Sequence, residues 1–513
     1  MMKKNMAGGA TGVAGATGVA GATGVAGTTG VAVSRRALLG MAAGLGAVAL
    51  GGGPLRALAQ QTVAQQTVAQ SGRRDAAGGD SVGRVVRPNI LHIMTDDQDY
   101  QSWAERFTRL DSRGKVLVDG LGEPVREYAM AFTRSMPGGG WCDFTQDTCT
   151  SAICAPSRAG LLTGVPAREH GVMRNGWIGN LDESNTLAVW LADAGYQTHL
   201  VGKYSFGVRG RNHLKPPGWS SFNGRGGLAK TVFAMGEERI RAGAADPAPW
   251  ALFLWPTDPH RRARPTPQNA KVGLLPPELP ANINEDDVGD KPGWIRNSKP
   301  ISAGKLSGLM KERVRGYQAL MGVDQGFERV FNALVETGQL DNTIIIVTSD
   351  NGESWGSHRQ MYKDMIYDEA SRVPLAIRLP WLTENRTENR VVSALDVTAT
   401  IVEATGVEAR RPLMGRSLLG LMERPGTPWE GMAYIESHGS PGARSKGRPA
   451  FRGLRTGGDA WGQFSYAEYP ETGEVELYDR AMDPAQLNNV AERAEYGLSL
   501  IHISEPTRQA EIS

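Results

Sequence analysis

The chain has 513 residues, long enough to bury a large core and to hold more than one domain. Lys plus Arg number 56 against 54 Asp plus Glu, so no global charge argues for nucleic acid or a membrane surface, and any anion preference has to come from a local site. The three cysteines, Cys142, Cys149 and Cys154, are too few for a disulfide scaffold and form no CxxC pair for zinc.

Residues 1–33 are a low-complexity tract that repeats GATGVA and has almost nothing to bury. Residues 34–59 read as a twin-arginine-type signal: Arg35-Arg36 precede a Gly-rich apolar run, and the small residues at 57–59 suit cleavage after Ala59. The run is shorter than the ~20 apolar residues of a spanning helix. Export through a twin-arginine translocase, to the periplasm or outside the cell, is the expectation. Residues 60–84, with QTVAQ twice, read as a linker. At the other end LSLIHISEPTR resembles a translated sequencing-library adapter, so 498–513 are read as an artefact tail.

The texture changes at Arg87. PNILHIM reads as a buried strand that runs into Asp96 and Asp97. In TSAICAPSRAGLLTG a cysteine stands at the mouth of a helix. LAVWLADAGY has helical spacing closed by Gly195, and QTHLVGK is a strand ending at Lys203. PWALFLWPTDPH is a strand leading to His260. Residues 304–337 carry helical spacing closed by Gly338. NTIIIVTSDNG is a β-branched strand ending in Asp350 and Asn351, and VPLAIRLP is one more strand. This alternation predicts an α/β fold over 85–425, a mostly parallel sheet sandwiched by helices. MAYIES, FRGLRTG, QFSYAEY and VELYDR predict a small antiparallel C-terminal subdomain over 426–497.

An open α/β sheet gathers its site beyond the strand C-termini, where Asp96, Asp97, Lys203, His260, Asp350 and Asn351 all fall. Carboxylates and an amide oxygen are hard ligands, suited to Ca²⁺ or Mg²⁺. Asp99 reads as a solvated acid beside them.

CAPSR followed by LLTG resembles the signature of the formylglycine-dependent sulfatases, members of the alkaline phosphatase-like superfamily, whose motif is Cys-x-Pro-x-Arg. Cys154, Pro156 and Arg158 match it, as do Thr163-Gly164. RPNILHIMTDDQ, GKY, PPGW, DPH, TSDNG and YDEASRVPL follow in family order, so the resemblance covers residues 87–490. GKY with PPGW, INEDDVGDKPGWIR and ELYDRAMDPAQLNN are similar to the N-acetylglucosamine-6-sulfatase and arylsulfatase branch.

The resemblance implies hydrolysis of a sulfate monoester, of a sulfated sugar, oligosaccharide or aryl alcohol. It implies that a formylglycine-generating enzyme converts Cys154 to an aldehyde, whose hydrate can attack sulfur through one hydroxyl and expel sulfate through the other. Asp96, Asp97, Asp350, Asn351 and the modified Cys154 would hold Ca²⁺, or Mg²⁺. Arg158 and Lys203 would hold residue 154. His260 and Lys363 would neutralise the sulfate, and one of them would protonate the leaving alcohol. Many members carry His where this chain has Ser205; His213 is read as a loop residue and His358 as equally structural or substrate-facing. Arg209, Arg211, Lys215, Arg261, Arg262 and Arg264 are read as a solvated surface before a polysaccharide groove. With Cys154 consumed, Cys142 and Cys149 are close enough in sequence to pair as a disulfide in an exported chain. Two alternatives stay open: phosphonate or phosphate ester hydrolysis, and a non-catalytic carbohydrate-binding protein, against which the intact ligand set argues.

Overall fold

Strands with apolar side chains on both faces need cover on both sides, and the fold supplies it. The computed structural model describes residues 87–204, 215–439, 447–459 and 461–497. The repeat tract, the twin-arginine-type segment, the linker and the 498–513 tail lie outside the described residues, as do Ser205, Arg209, Arg211 and His213. Strands β1 (Asn89–Thr95), β2 (Trp141–Phe144), β3 (Gln197–Gly202), β4 (Ser221–Asn223), β5 (Trp250–Trp255), β6 (Thr343–Ser349), β7 (Leu375–Arg378) and β8 (Arg386–Glu388) form one sheet. Its order is β8-β2-β7-β6-β1-β5-β3-β4, and only β7 runs against the rest.

The alternation of side chains sorts two cores. Ile90, Met94, Phe253, Ile344 and Ile346 pack under α1 (Cys154–Thr163), α2 (Leu187–Asp193) and, through Val397 and Ile401, α5 (Ala394–Thr405). Leu91, Ile93, Leu252, Leu254, Ile345 and Val347 pack under α3 (Ala229–Gly243) and α4 (Ala303–Glu336). The expected C-terminal sheet is present as β9 (Met432–Ser437), β10 (Phe451–Thr456), β11 (Phe464–Tyr469) and β12 (Glu474–Asp479), antiparallel throughout. Ile435, Phe451, Tyr469 and Tyr478 from this sheet share a cluster with Met365, Ile366 and Tyr367 of the larger part. Glu476 joins the two as well, accepting hydroxyl hydrogen bonds from Tyr367 (2.5 Å), Tyr469 (3.0 Å) and Tyr478 (3.2 Å). The described residues belong to one compact unit.

The expected disulfide is not formed: Cys142 and Cys149 are both free, buried thiols. Cys142 lies on β2, in the core under α1, whereas Cys149 belongs to the cluster beneath the C-terminal sheet. The glycine run before β2 is a close approach of two backbones, since a Cβ on Gly140, at φ 77°, would meet Leu382 O at 2.3 Å.

His92 is the buried titratable group of β1, and its Nδ1 accepts from Trp255 Nε1 at 3.0 Å. Burial pushes its imidazole down to about 3, against a backbone hydrogen bond that raises it and with Arg158 adding to the depression. A depressed folded-state pKa gives stability that is complete above the unfolded value of about 6.5 and is lost as the pH falls toward the folded one. Between pH 7.5 and 5 the wild type is therefore expected to lose about 2 kcal/mol more stability than His92→Gln, read from urea unfolding midpoints.

Candidate active site

Separate chain segments deliver charged side chains to one edge of the sheet. β1 runs into Asp96 and Asp97, β6 into Asp350 and Asn351, β3 into Lys203, and the segment after β5 into His260. Backbone bonds hold these ends in register: Asp350 N donates to Thr95 O (3.2 Å), Lys203 N to Trp255 O (2.7 Å) and Asp96 N to Asp258 O (3.1 Å). Helix α1 begins at Cys154. Ile153 offers it no capping side chain, and Asn175 caps from a distance, its Oδ1 accepting from Ala155 N at 2.9 Å. Ser157 Oγ then ties the same turn to Asp350 O at 2.5 Å.

Three buried carboxylates meet three cations here. Lys203 Nζ donates to both oxygens of Asp96, at 2.7 and 2.6 Å. Arg158 donates from Nε to Asp350 Oδ2 (2.8 Å) and from Nη1 to Lys203 O (2.6 Å), with its guanidinium 5.5 Å over the Trp255 ring. Lys363 Nζ bonds Asp97 Oδ1 and lies 2.8 Å from Cys154 Sγ. His260 Nε2 stands 3.5 Å from Asp97 Oδ2, with its side chain 40 % exposed. Burial alone would raise the carboxyl pKa values of Asp96 and Asp97. Lys203, helped by Arg158 and His260, holds Asp96 below its ordinary value, and Lys363 with His260 does the same for Asp97. Reciprocally, Asp96 overcomes burial to raise Lys203, and Asp97 raises Lys363.

The ligand atoms of Asp96, Asp97, Asp350 and Cys154 lie within 4.8 Å of one another, all on buried residues. Asn351 Nδ2 donates to Asp97 Oδ1 (2.7 Å) and Gly352 O (2.9 Å), while its buried Oδ1 has no hydrogen-bond partner. An unsatisfied amide oxygen beside three carboxylates fits a hard divalent cation.

Nine residues named from sequence converge at this edge: Asp96, Asp97, Cys154, Arg158, Lys203, His260, Asp350, Asn351 and Lys363. Pro156 lies in the first turn of α1. Lys215, Arg262 and Arg264 are exposed. His358 is structural, since it is fully buried, bonds Glu285 Oε2 at 2.6 Å through Nδ1, and packs against Tyr367 with ring centroids 4.1 Å apart.

Glu353 was not anticipated. It is buried just past Asn351, and burial with Asp97 beside it pushes its carboxyl up to about 8, against Lys363 and Arg261. Only its place in DNGE hinted at it. Asp99 corrects the sequence reading. It is buried rather than solvated, caps the helix Tyr100–Ala104 by accepting from Ser102 N (2.7 Å), and accepts from Trp355 Nε1 (3.0 Å).

The sequence profile described as Sulfatase matches residues 88–407, more than half of the chain. The chain belongs to the sulfatase family. A second profile, described as N-sulphoglucosamine sulphohydrolase, C-terminal, matches residues 356–506 of this sulfatase. It is 26 % identical over 503 aligned residues to the N-acetylglucosamine-6-O-sulfatase of Bacteroides thetaiotaomicron, covering 80 % of this chain and 84 % of that one. Among solved structures it is similar to a protein in complex with its substrate D-glucosamine-2-N,6-O-disulfate (TM-score 0.64, 21 % identity, 83 % and 97 % of the two chains). It is equally similar to the phosphonate monoester hydrolase of Silicibacter pomeroyi (TM-score 0.64, 21 % identity, 83 % and 95 %). These likenesses confirm the alkaline phosphatase-like fold, and the family makes the protein a sulfuric ester hydrolase.

Replacing Asp99 with Ala removes a helix cap and leaves a buried indole N–H unpaired, so a loss of about 1–3 kcal/mol is expected, with Asp99→Asn losing less. Chemical unfolding of the three proteins measures it.

Proposed function

We propose that this sulfatase cleaves the sulfate monoester of a sugar of the glucosamine 6-O-sulfate class, with residue 154 as nucleophile after its oxidation to formylglycine. The state of the encoded Cys154 carries this reading. It is 1 % exposed, and burial pushes its thiol up to about 12 although Lys203 and Lys363 pull the other way. Burial thus biases the unmodified side chain toward its protonated, weakly nucleophilic thiol form. The hydrated aldehyde made from this cysteine supplies a hydroxyl nucleophile and a second hydroxyl able to expel sulfate. Asp96, Asp97, Asp350 and Asn351 would hold a divalent cation, Ca²⁺ or Mg²⁺, which supplies Lewis-acid charge for the sulfate oxygens.

The remaining work falls to the chain's own cations. Lys203 and Arg158 are engaged with Asp96 and Asp350, and they hold those carboxylates in place. Lys363, beside Cys154 Sγ, lies on the nucleophile's side. His260 is the more exposed of the two remaining groups, so it takes the side from which the alcohol departs and delivers the proton to its oxygen. Arg35-Arg36 and the apolar run that follows support export by the twin-arginine route. Among the described residues no helix is long and apolar enough to cross a membrane.

Mass spectrometry of the Cys154 peptide from active protein is expected to show the aldehyde, and Cys154→Ala to lose at least about 10³-fold in kcat/KM on 4-nitrophenyl sulfate. Unmodified cysteine throughout an active preparation would sink the nucleophile. Faster turnover of a phosphonate monoester than of either sulfate ester would move the substrate to the class of the Silicibacter neighbour.

Chelation is expected to abolish hydrolysis while lowering the thermal midpoint by only a few degrees, because three cations already neutralise the carboxylates. Calcium should restore the rate. Asp350→Asn, which keeps an acceptor for Arg158, should be inactive but folded. Asp350→Ala should also unfold more readily, by about 3–5 kcal/mol, because it strips Arg158 of its ion-pair partner. Full activity of the dialysed protein in excess chelator would remove the metal from this reading.

A further inference from the structure

His260 and Lys363, the two groups assigned above to the sulfate ester, both reach Asp97, and their sequence neighbours meet as well. Arg261 lies with its guanidinium carbon 4.3 Å over the Tyr362 ring and 5.9 Å from that of Trp355. Its Nη1 is 3.6 Å from Glu353 Oε1, a buried carboxylate, yet neither atom makes a hydrogen bond. The Nη1 end of the guanidinium is thus turned toward Glu353 without being bonded to it.

The surroundings of this stack are fixed. Trp355 Nε1 is tied to Asp99. The backbone on both sides of Tyr362 is clamped by Arg448, which donates to Met361 O at 2.6 Å and to Lys363 O at 2.7 Å. Tyr362 itself is 38 % exposed and the Arg261 side chain 21 %. A rigid, half-open aromatic and guanidinium pair, one residue from each sulfate-facing group, has the position of a rim around the departing alcohol.

We propose that Arg261 and Tyr362 form the subsite for the leaving sugar, with Glu353 as the positioning residue for Arg261. The chemistry of the pair selects the ligand. A phenol ring offers a flat face to the C–H face of a pyranose, and a planar guanidinium offers paired donors to adjacent hydroxyls. An aryl alcohol has no hydroxyls for the guanidinium to bind. This assignment rests on the proposed function above and names the residues that would hold its sugar.

The test compares kcat and KM for glucosamine 6-O-sulfate and 4-nitrophenyl sulfate in the wild type, Arg261→Met, Tyr362→Ala, Tyr362→Phe and Glu353→Gln. Arg261→Met and Tyr362→Ala are expected to raise KM for the sugar at least tenfold with kcat within threefold. Each should lower the sugar-to-aryl ratio of kcat/KM at least tenfold. Tyr362→Phe should retain the ratio, and Glu353→Gln should shift it in the same direction by less than Arg261→Met. Equal losses on both substrates, or none on the sugar, would make the pair merely structural and overturn the subsite. A wild type that turns over the aryl sulfate but no sugar sulfate overturns the sugar reading and the subsite with it, and leaves the sulfatase activity standing. One that cleaves only phosphonate esters overturns the sulfatase reading and the subsite with it.

Discussion

The mutual neutralisation of three buried carboxylates by three buried cations is the constraint on which the sheet edge depends. An unpaired charge in such a place costs several kcal/mol, so Asp96, Asp97 and Asp350 are tolerable there only with Lys203, Lys363 and Arg158 beside them. The partners of each pair come from different parts of the chain, and the ends of β1, β3, β5 and β6 must stay in register for the pairs to form. Arg158 does most of this joining. It grips the end of β6 through Asp350, the end of β3 through Lys203 O, and rests over Trp255 at the end of β5. The helix that begins at Cys154 is thereby fixed to three strands by one side chain.

The C-terminal sheet takes part in that arrangement. Lys363 is held through its own carbonyl by Arg448, and Met365 to Tyr367 pack on the inner face of the small sheet. The profile for the C-terminal region starts at residue 356, before Lys363. The structure gives a physical reason: the segment bearing this lysine has its packing partners in the later strands, although its ammonium lies at the other sheet's edge.

What could be read in the sequence follows from the range of the interactions involved. Strands such as Thr343–Ser349, and the long helix Ala303–Glu336, announce themselves through local apolar patterns, and the chemistry at the strand ends is visible once those strands are placed. Lys203 falls with the strand ends, whereas the grouping of Cys154, Arg158 and Lys363 with them came from the resemblance, because no local pattern says that residues so far apart will touch. Trp141–Phe144 was hidden behind a glycine run, and its partners, Leu375–Arg378 and Arg386–Glu388, lie far along the chain. The same limit conceals the burial of Asp99 by Trp355 and the approach of Arg261 to Glu353. Acidic and basic residues next to a turn look solvated until a distant segment covers them.

The depth of Cys154 also imposes an order on events. At 1 % exposure, behind Lys363 and the carboxylates, its thiol is closed to another protein once the sheet edge has assembled. On the proposed chemistry, maturation of residue 154 then competes in time with folding, and the folding step ends the competition. Molecules that close first keep a native core, native ion pairs and an intact ligand set, and stay silent for good. Specific activity in a homogeneous, well-folded preparation thus records who won that race, molecule by molecule, and a change that merely slows closure of the sheet edge raises the active fraction without touching any catalytic group.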